Sequence, residues 1–246
     1  MFRHRFDENV NISVALHWFL MSFSAGCVNA GGFIATGRFV THVTGFATLF
    51  GFDIAHWQLD AALGILSVPL FFMIGALVAG LLIDRRIHVH KQPHFDYVMI
   101  ISGLCLFLAA LGGNSESFSE FGQNFHLKQN YILLALLCLA SGLQNAAISS
   151  GSDKSVRTTH LTGITTDLGL GLARILTFHL NDKSLRKGRT ANLLRIGNIL
   201  AFVTGSAAGA ILFNGLKYHG FFVPAIIAFY AAWHGRSEKM KVHHNA

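Results

Sequence analysis

Charged residues are scarce in this chain and are missing altogether from six long stretches. Only 13% of the 246 residues are Asp, Glu, Lys or Arg, whereas 52% are hydrophobic. A water-soluble domain needs more charge than this to cover its surface, so the composition argues against an ordinary soluble protein. The stretches without charge cover residues 9–37, 61–83, 97–115, 129–152, 196–216 and 218–235.

Each charge-free stretch is close to or above the roughly 18 to 20 residues that a helix needs to cross a hydrocarbon core. Unpaired backbone amides are costly in hydrocarbon, so spans must be helices or closed barrels, and barrel strands have only about ten residues. Proline is rare too, occurring only at Pro69, Pro93 and Pro224. The sequence therefore predicts an all-α membrane protein with six transmembrane helices, and with the lipid bilayer as its surroundings.

The sequence offers little support for other classes of protein. The net charge of +7 does not indicate nucleic-acid binding, because the basic residues gather at the ends of the predicted spans. The three cysteines lie in apolar stretches without disulfide or metal-ligand spacing. No phosphate-binding loop or known catalytic motif is present, so we predict no enzyme, no metal site and no cofactor. The cysteines are Cys27, Cys105 and Cys138.

The distribution of basic residues predicts the orientation. Clusters of Lys and Arg fall at 3–5, 85–91, 183–195 and 236–241, whereas the loop 114–130 is acidic. Basic loops remain on the cytoplasmic side, so both termini are predicted to be cytoplasmic in a bacterial inner membrane. The chain then divides into a cytoplasmic tail (1–11), a first half (12–113), an external loop (114–130), a second half (131–235) and a cytoplasmic tail (236–246).

Two partly apolar stretches, 38–59 and 153–182, remain outside these spans. If either one alone were a full crossing, every later loop would be inverted and a basic cluster would lie outside. We therefore predict two broken or re-entrant segments, although the sequence leaves open whether they are re-entrant, interfacial or spanning.

These two stretches contain an internal repeat. Thr41–Gly51 matches Thr159–Gly169 at a constant offset of 118 residues, with six identities in eleven positions. Upstream, residues 25–30 resemble residues 141–146. Each half would hold three spans, an odd number, so the second half is predicted to be inverted relative to the first. Many secondary transporters are built from such inverted repeats and bind their solute near the middle of the membrane.

Polar residues inside the spans are the first candidate site residues, because they are costly in a membrane unless they are paired or functional. Asn29, Gln144 and Asn145 occupy related positions in the two halves, next to glycines that permit either close helix approach or a helix break. Their amide groups could bind a solute. The alternative is that they join helices by hydrogen bonds.

The repeated Thr-His-x-Thr-Gly motif supplies the other candidates. Its threonines are potential N-caps of short helices, its glycines allow tight turns, and the helix starts could hold a small anion. The histidines could titrate near neutral pH. The alternatives are simple capping, lipid contact and packing. The candidates are Thr41, His42, Thr44, Gly45, Arg157, Thr159, His160, Thr162, Gly163 and Asp167.

The same segments resemble the YoaK-like family of bacterial inner-membrane proteins, a domain of unknown function with about six predicted spans. The likeness rests on residues 25–30, 44–45, 142–146 and 156–163. This chain has Asn29 and Phe46 where the family usually has Asp and Asn. The resemblance implies a multi-span membrane protein but no reaction.

We therefore predict a carrier or permease for a small polar or anionic solute, with its site between the inverted halves. The sequence leaves two alternatives open. One is a non-transporting scaffold or accessory protein, and the other is an intramembrane enzyme that uses His42, His160 and Asp167. Neither the solute nor the oligomeric state can be read from the sequence.

Overall fold

The fold is helical throughout the part of the chain that the structure describes. The computed structural model describes residues 12–41, 43, 45–113, 118, 120–122, 127–152, 158–159, 161–177 and 182–244. These residues form nine α-helices and one short 3-10 helix, without a strand among them. The prediction of an all-α protein is confirmed for these residues.

The helices follow one another closely along the chain. They are α1 (Ile12–Thr36), α2 (Phe46–Ala55), α3 (Leu59–Leu82), α4 (Asp84–His88), α5 (Phe95–Gly112), α6 (Leu127–Gly151), α7 (Leu161–Thr177), α8 (Asp182–Leu216) and α9 (Phe222–His244), with the 3-10 helix (Lys217–Phe221) between the last two.

Five helical segments are long and apolar enough to cross a membrane, which indicates a membrane-embedded protein. The fifth segment, Arg186–Arg236, contains most of α8, the 3-10 helix and the start of α9. The described structure therefore has six long helices within five apolar segments. The other four segments are Ile12–Thr36, Leu59–His88, Phe95–Gly112 and Tyr131–Gly151.

The end of α1 follows from its sequence. Gly37 has a φ of +66°, and its N–H donates to the carbonyl oxygen of Phe33 at 2.7 Å. A left-handed glycine after the last helical residue is the common way for a helix to stop, because a side chain disfavours this conformation. Before that point α1 runs without a break through Gly26, Gly31 and Gly32. Of the two possibilities that these glycines and Gly142 of α6 left open, a helix break does not occur at any of them.

Two hydrophobic clusters mark the two ends of the helix bundle. One cluster includes Trp18, Ile83, Phe95 and Leu194. Basic residues adjoin it in the sequence at Arg85, Arg86, Arg195 and Arg236, and we call this end the basic end. The other cluster includes Ala35, Val68, Ala109, Leu133, Phe213 and Phe221, and it defines the opposite end.

The long helices alternate in direction between these ends. The helices α1, α5 and α8 contribute their earlier residues to the cluster at the basic end and their later residues to the opposite cluster. The helices α3, α6 and α9 run the other way, with their later residues at the basic end. The direction therefore reverses from each long helix to the next along the chain.

Two pairs of parallel helices make the most extensive contacts. Helix α1 packs along α8, and α3 packs along α6, while α5 lies against both α6 and α9. Small residues allow this close packing, because a helix backbone can approach where side chains are absent.

The two stretches predicted to be broken or re-entrant contain the short helices α2 and α7. Helix α2 packs on α3, and the residues before it, Val40 and Val43, pack in the cluster of the opposite end. Helix α7 packs on the first part of α8, where Gly171 meets Asn192. Asn192 lies close in sequence to Leu194 of the basic-end cluster. The two short helices are therefore associated with opposite ends of the bundle.

Candidate functional site

The structure brings Asn29 and Thr41 together. The side-chain oxygen of Asn29 accepts a hydrogen bond from the backbone N–H of Thr41 at 3.3 Å. Both residues are buried, and the Thr41 hydroxyl oxygen has no hydrogen-bond partner among the described residues. A buried polar atom without a partner is costly, so it marks a position where a ligand or water would gain a hydrogen bond.

The second half contains a similar pair. The hydroxyl of Thr158 donates to the side-chain oxygen of Asn145 at 3.4 Å. Thr158 and its neighbour Thr159 are buried, whereas Asn145 is half-buried. In each half, therefore, an asparagine of the first long helix accepts a hydrogen bond from the threonine segment that follows it.

The two pairs lie toward opposite ends of the bundle. Asn29 lies about two turns before the end of α1, and Asn145 lies about two turns before the end of α6. Because α1 and α6 run in opposite directions, these ends are on opposite sides. The structure thus describes two separate polar half-sites, and their convergence on one solute remains a prediction.

Gln144 has a structural partner instead. Its amide N–H donates to the hydroxyl oxygen of Ser102 at 2.9 Å, and that hydroxyl donates to the carbonyl oxygen of Ala140 at 3.1 Å. Gln144 and Ser102 are both buried. This arrangement matches the alternative in which a polar residue joins two helices, here α5 and α6.

Two of the threonines that were candidates for helix caps, Thr41 and Thr162, do not cap the short helices. The N-cap of α2 is Gly45, without a side-chain hydrogen bond, and Thr41 lies four residues before it. Thr162 lies inside the first turn of α7, where its carbonyl oxygen accepts a hydrogen bond from the Thr166 hydroxyl. A capping residue must stand just before the helix, so the capping prediction is wrong for Thr41 and Thr162.

The remaining described candidates are more exposed. Gly45 and Thr162 are exposed, and Gly163 is half-buried. Asp167 and Arg174 are both exposed on α7, which agrees with a solvated or interfacial face. Four of the predicted residues lie outside the described part of the chain, and the structure therefore does not test them. These are His42, Thr44, Arg157 and His160.

About one turn before Asn29, α1 makes a close glycine contact with α8. A Cβ atom on Gly26 would collide with the carbonyl oxygen of Phe202 in α8, and one on Gly205 would collide with that of Phe23 in α1. The Ser206 hydroxyl also donates to the Gly26 carbonyl oxygen at 3.2 Å. The backbones of α1 and α8 are therefore in direct contact, and this contact fixes the two helices side by side.

The same contact recurs between α3 and α6. A Cβ atom on Gly142 would collide with the carbonyl oxygen of Phe72, and one on Gly75 would collide with that of Leu139. Gly26 and Gly142 are 116 residues apart, and so are Phe23 and Leu139. The partners Phe72 and Phe202 are 130 residues apart, as are Gly75 and Gly205. The two crossings therefore correspond residue by residue.

Asp53 and Asn192 are among the buried polar residues that sequence reasoning missed. Asp53 is 8% exposed on α2, and Asn192 is 4% exposed on α8. Each has a side-chain atom without a hydrogen-bond partner among the described residues, namely Asp53 Oδ2 and Asn192 Nδ2. Asp53 has one signal in the sequence, because it is an acidic residue directly after an uncharged run.

The described residues offer few other sites. No group of three or more His, Cys, Asp or Glu side chains among them could hold a metal ion. An open cavity of about 290 Å³ lies at the opposite end, where the 3-10 helix meets the end of α5. It contains none of the predicted site residues and is lined by Gly113, Gly215, Leu216, Lys217, Tyr218 and His219.

Comparison with known proteins identifies the family but no function. Neither the curated proteins nor the solved structures contain a significant match to the chain. One family model matches residues 17–233, and its description is a protein of unknown function, DUF1275. The match covers most of the 246 residues. The chain therefore belongs to the DUF1275 family of proteins of unknown function, to which the YoaK-like proteins also belong.

Proposed function

We propose that this protein is a carrier for a small polar or anionic solute in a bacterial inner membrane. In this proposal six helices span the membrane, both termini are cytoplasmic, and the two halves have inverted orientations. The solute site lies between the halves and is formed by the asparagine and threonine residues of the repeat.

The matched glycine crossings are the observation that carries the proposal. Gly26 and Gly205 join α1 to α8 in the same way that Gly142 and Gly75 join α6 to α3. If the two halves are exchanged, the crossing of α1 with α8 becomes the crossing of α6 with α3. Such an exchange is the operation of a pseudo-twofold axis, and the alternating helix directions fit an axis that lies in the membrane plane. Inverted repeats of this kind support alternating access in many transporters.

The charge distribution supports the orientation. The positively charged residues Arg85, Arg86, Arg195 and Arg236 adjoin the basic end, whereas Glu120 belongs to the loop that packs at the opposite end. The positive-inside rule then puts the basic end in the cytoplasm. The half-site at Asn29 would face the outside and the half-site at Asn145 would face the cytoplasm.

The half-sites supply suitable chemistry for a polar solute. Each contains an amide group and buried threonine residues, so it offers both donors and acceptors of hydrogen bonds. Arg157, which stands just before the repeat in the second half, would add a positive charge for an anion.

The alternative is a scaffold that transports nothing, and specific contacts favour it. The Gln144 amide is bonded to Ser102, and Ser22 is bonded to Asn198 across α1 and α8. These polar groups hold helices together and need no solute. A scaffold would bind no small ligand between its halves.

A ligand screen followed by an uptake assay separates the two functions. Small carboxylates, inorganic phosphate and sulfate are added to the purified protein, and its thermal unfolding is followed. A ligand at 100 times its Kd stabilises the native state by about 2.7 kcal/mol, which is easily detected as a rise in Tm. The carrier predicts that a stabilising compound enters proteoliposomes and that Asn29→Ala or Arg157→Ala abolishes uptake. If no compound stabilises the protein and none is taken up, the scaffold is favoured.

A further inference from the structure

A buried amide group lies where α7 packs on α8. Asn192 of α8 is 4% exposed, and it meets Gly171 of α7. A Cβ atom on Gly171 would collide with the Asn192 side chain, so the glycine leaves the room that the amide occupies. Asn192 Nδ2 has no hydrogen-bond partner among the described residues. A buried N–H group without an acceptor is costly, so an oxygen atom brought to it would gain a hydrogen bond.

Arg195 fixes the orientation of this amide. Its Nη1 atom donates to Asn192 Oδ1 at 2.8 Å. A guanidinium group only donates hydrogen bonds, so the amide atom that faces Arg195 is the oxygen, and the atom left without a partner is the nitrogen. An N–H donor thus lies beside a positive charge. This combination suits an anionic oxygen atom, because hydrogen bonds between charged groups are the stronger ones.

Acidic residues of the neighbouring helices do not neutralise Arg195. Arg195 is half-buried, and it forms no ion pair with a carboxylate of the described residues. Asp167 of α7 is exposed. Helix α1, which packs along α8, contains no acidic residue. Within the described part of the chain, the positive charge of Arg195 is therefore available to a ligand.

The helices α7 and α8 form an antiparallel pair. Gly171 meets Asn192, and four residues later on α7, Ile175 lies next to Gly188, which is four residues earlier on α8. Residues toward the end of α7 therefore lie at the same level as residues toward the start of α8.

The amide lies near the level of the lipid headgroups. The charge-free stretch 196–216 begins directly after Arg195, which places the edge of the hydrocarbon core there. Arg174 and Arg189 are exposed about one turn farther out than the amide. In the same region α8 also exposes an apolar side chain, Leu193, which is 68% exposed. A molecule with an anionic head and an apolar tail therefore fits this place better than a free anion does.

We infer that Asn192 and Arg195 form a binding site between α7 and α8 for the phosphate group of an anionic phospholipid. The Asn192 amide and the Arg195 guanidinium donate hydrogen bonds to the phosphate oxygens. Arg174 and Arg189 attract the negatively charged headgroup, and the acyl chains lie in the hydrocarbon beside α8. The site is separate from the half-sites of the proposed carrier, and it does not require that the protein transports a solute.

Native mass spectrometry and thermal unfolding of the purified protein test the site. Phosphatidylglycerol, phosphatidylcholine and inorganic phosphate are added separately to the protein in an uncharged detergent. We expect phosphatidylglycerol to remain bound and to raise Tm, because a ligand that binds only the native state stabilises it. Phosphatidylcholine should bind more weakly, since its choline group offsets the phosphate charge. Inorganic phosphate at the same concentration should not raise Tm, and an equal rise with phosphate would overturn the assignment to a lipid.

Asn192→Asp is the sharpest variant. Its carboxylate has nearly the shape of the amide and can still accept the hydrogen bond from Arg195, so the protein should fold as the wild type does. The carboxylate has no N–H donor and repels the phosphate. We expect the affinity for phosphatidylglycerol to fall about tenfold or more, which corresponds to the loss of one hydrogen bond to a charged group. Arg195→Gln should lower the affinity by a similar factor, and it gives a second measurement if the first variant does not fold.

Two control variants separate this site from the general positive charge of the basic end. Arg189→Gln removes an exposed charge from the same helix and should weaken binding less than Arg195→Gln does. Lys217→Gln removes an exposed charge at the opposite end and should leave binding unchanged. Wild-type affinity in Asn192→Asp and Arg195→Gln, or an equal loss of affinity in either control, would overturn the inference.

Discussion

The glycine crossing between α1 and α8 allows a quantitative test by the substitution Gly26→Ala. The new Cβ atom would lie under 3.0 Å from the Phe202 carbonyl oxygen, at a distance that real structures essentially never show. A carbonyl oxygen in a helix cannot move alone, so the helices must separate. Overpacking of this kind costs about 1–3 kcal/mol. Alanine also has a better helix propensity than glycine, and this offsets up to about 1 kcal/mol of the steric cost.

The steric cost outweighs the gain in propensity, because the obstacle is backbone and not a flexible side chain. We expect a net loss of about 1–2 kcal/mol, which lowers Tm by about 2–8 °C for a domain of this size. The assay is thermal unfolding of the purified protein in detergent. Gly142→Ala, which meets Phe72 in the corresponding crossing, should give a similar decrease.

Gly80→Ala is the matched control within a long helix. A Cβ atom on Gly80 would have no neighbour within 4 Å, so only the change in helix propensity remains. We expect a gain of about 0.5–1 kcal/mol and therefore a slightly higher Tm. If Gly26→Ala and Gly142→Ala behave like this control, the close backbone contacts do not exist and the reasoning fails.

Three further predictions concern other contacts. Arg236 forms an ion pair with buried Asp96 at 3.2 Å, but its own side chain is half exposed. Arg236→Gln should therefore lower the free energy of unfolding by roughly 0.5–1 kcal/mol and lower Tm modestly. The exposed control Lys217→Gln should leave Tm unchanged. Gln144→Leu removes the hydrogen bond to Ser102, and we expect a loss of about 1–2 kcal/mol in the same unfolding assay; an unchanged Tm would contradict the contact. All three thiols are buried, so mass spectrometry should find no maleimide adduct on the folded protein. After denaturation, modification should be complete. Rapid modification of the folded protein would contradict the burial of the thiols. These thiols belong to Cys27, Cys105 and Cys138.

The sequence was sufficient to predict the helical fold because long charge-free stretches are typical of transmembrane helices. The requirement for about 20 apolar residues per span applies to each helix by itself, without knowledge of its neighbours. The stretches 9–37 and 97–115 therefore match α1 and α5 closely. The stretches 196–216 and 218–235 likewise match the later part of α8 and much of α9.

The site was less predictable because it depends on contacts between distant parts of the chain. Threonine is a preferred capping residue, but this preference is local and weak, and the N-cap of α2 is Gly45, without a side-chain hydrogen bond. From the sequence, Gly26 is compatible with either a break in α1 or the close approach of another helix. Only the position of Phe202 on α8 shows that the close approach occurs. The burial of Asp53 depends on how α2 packs in the folded chain, which no local pattern shows, whereas the positions of Asn29 and Asn145 in apolar stretches are visible in the sequence.

The central claim is that the two halves have opposite orientations in the membrane, and accessibility of single cysteines tests it most directly. In a protein without its three native cysteines, Trp57→Cys reports on the end of α2 and Leu176→Cys on the end of α7, since both residues are highly exposed. An impermeant thiol reagent is applied to intact cells and then to opened cells. We predict that W57C reacts in intact cells and that L176C reacts only after opening. Reaction of both variants from the same side would contradict the inverted arrangement.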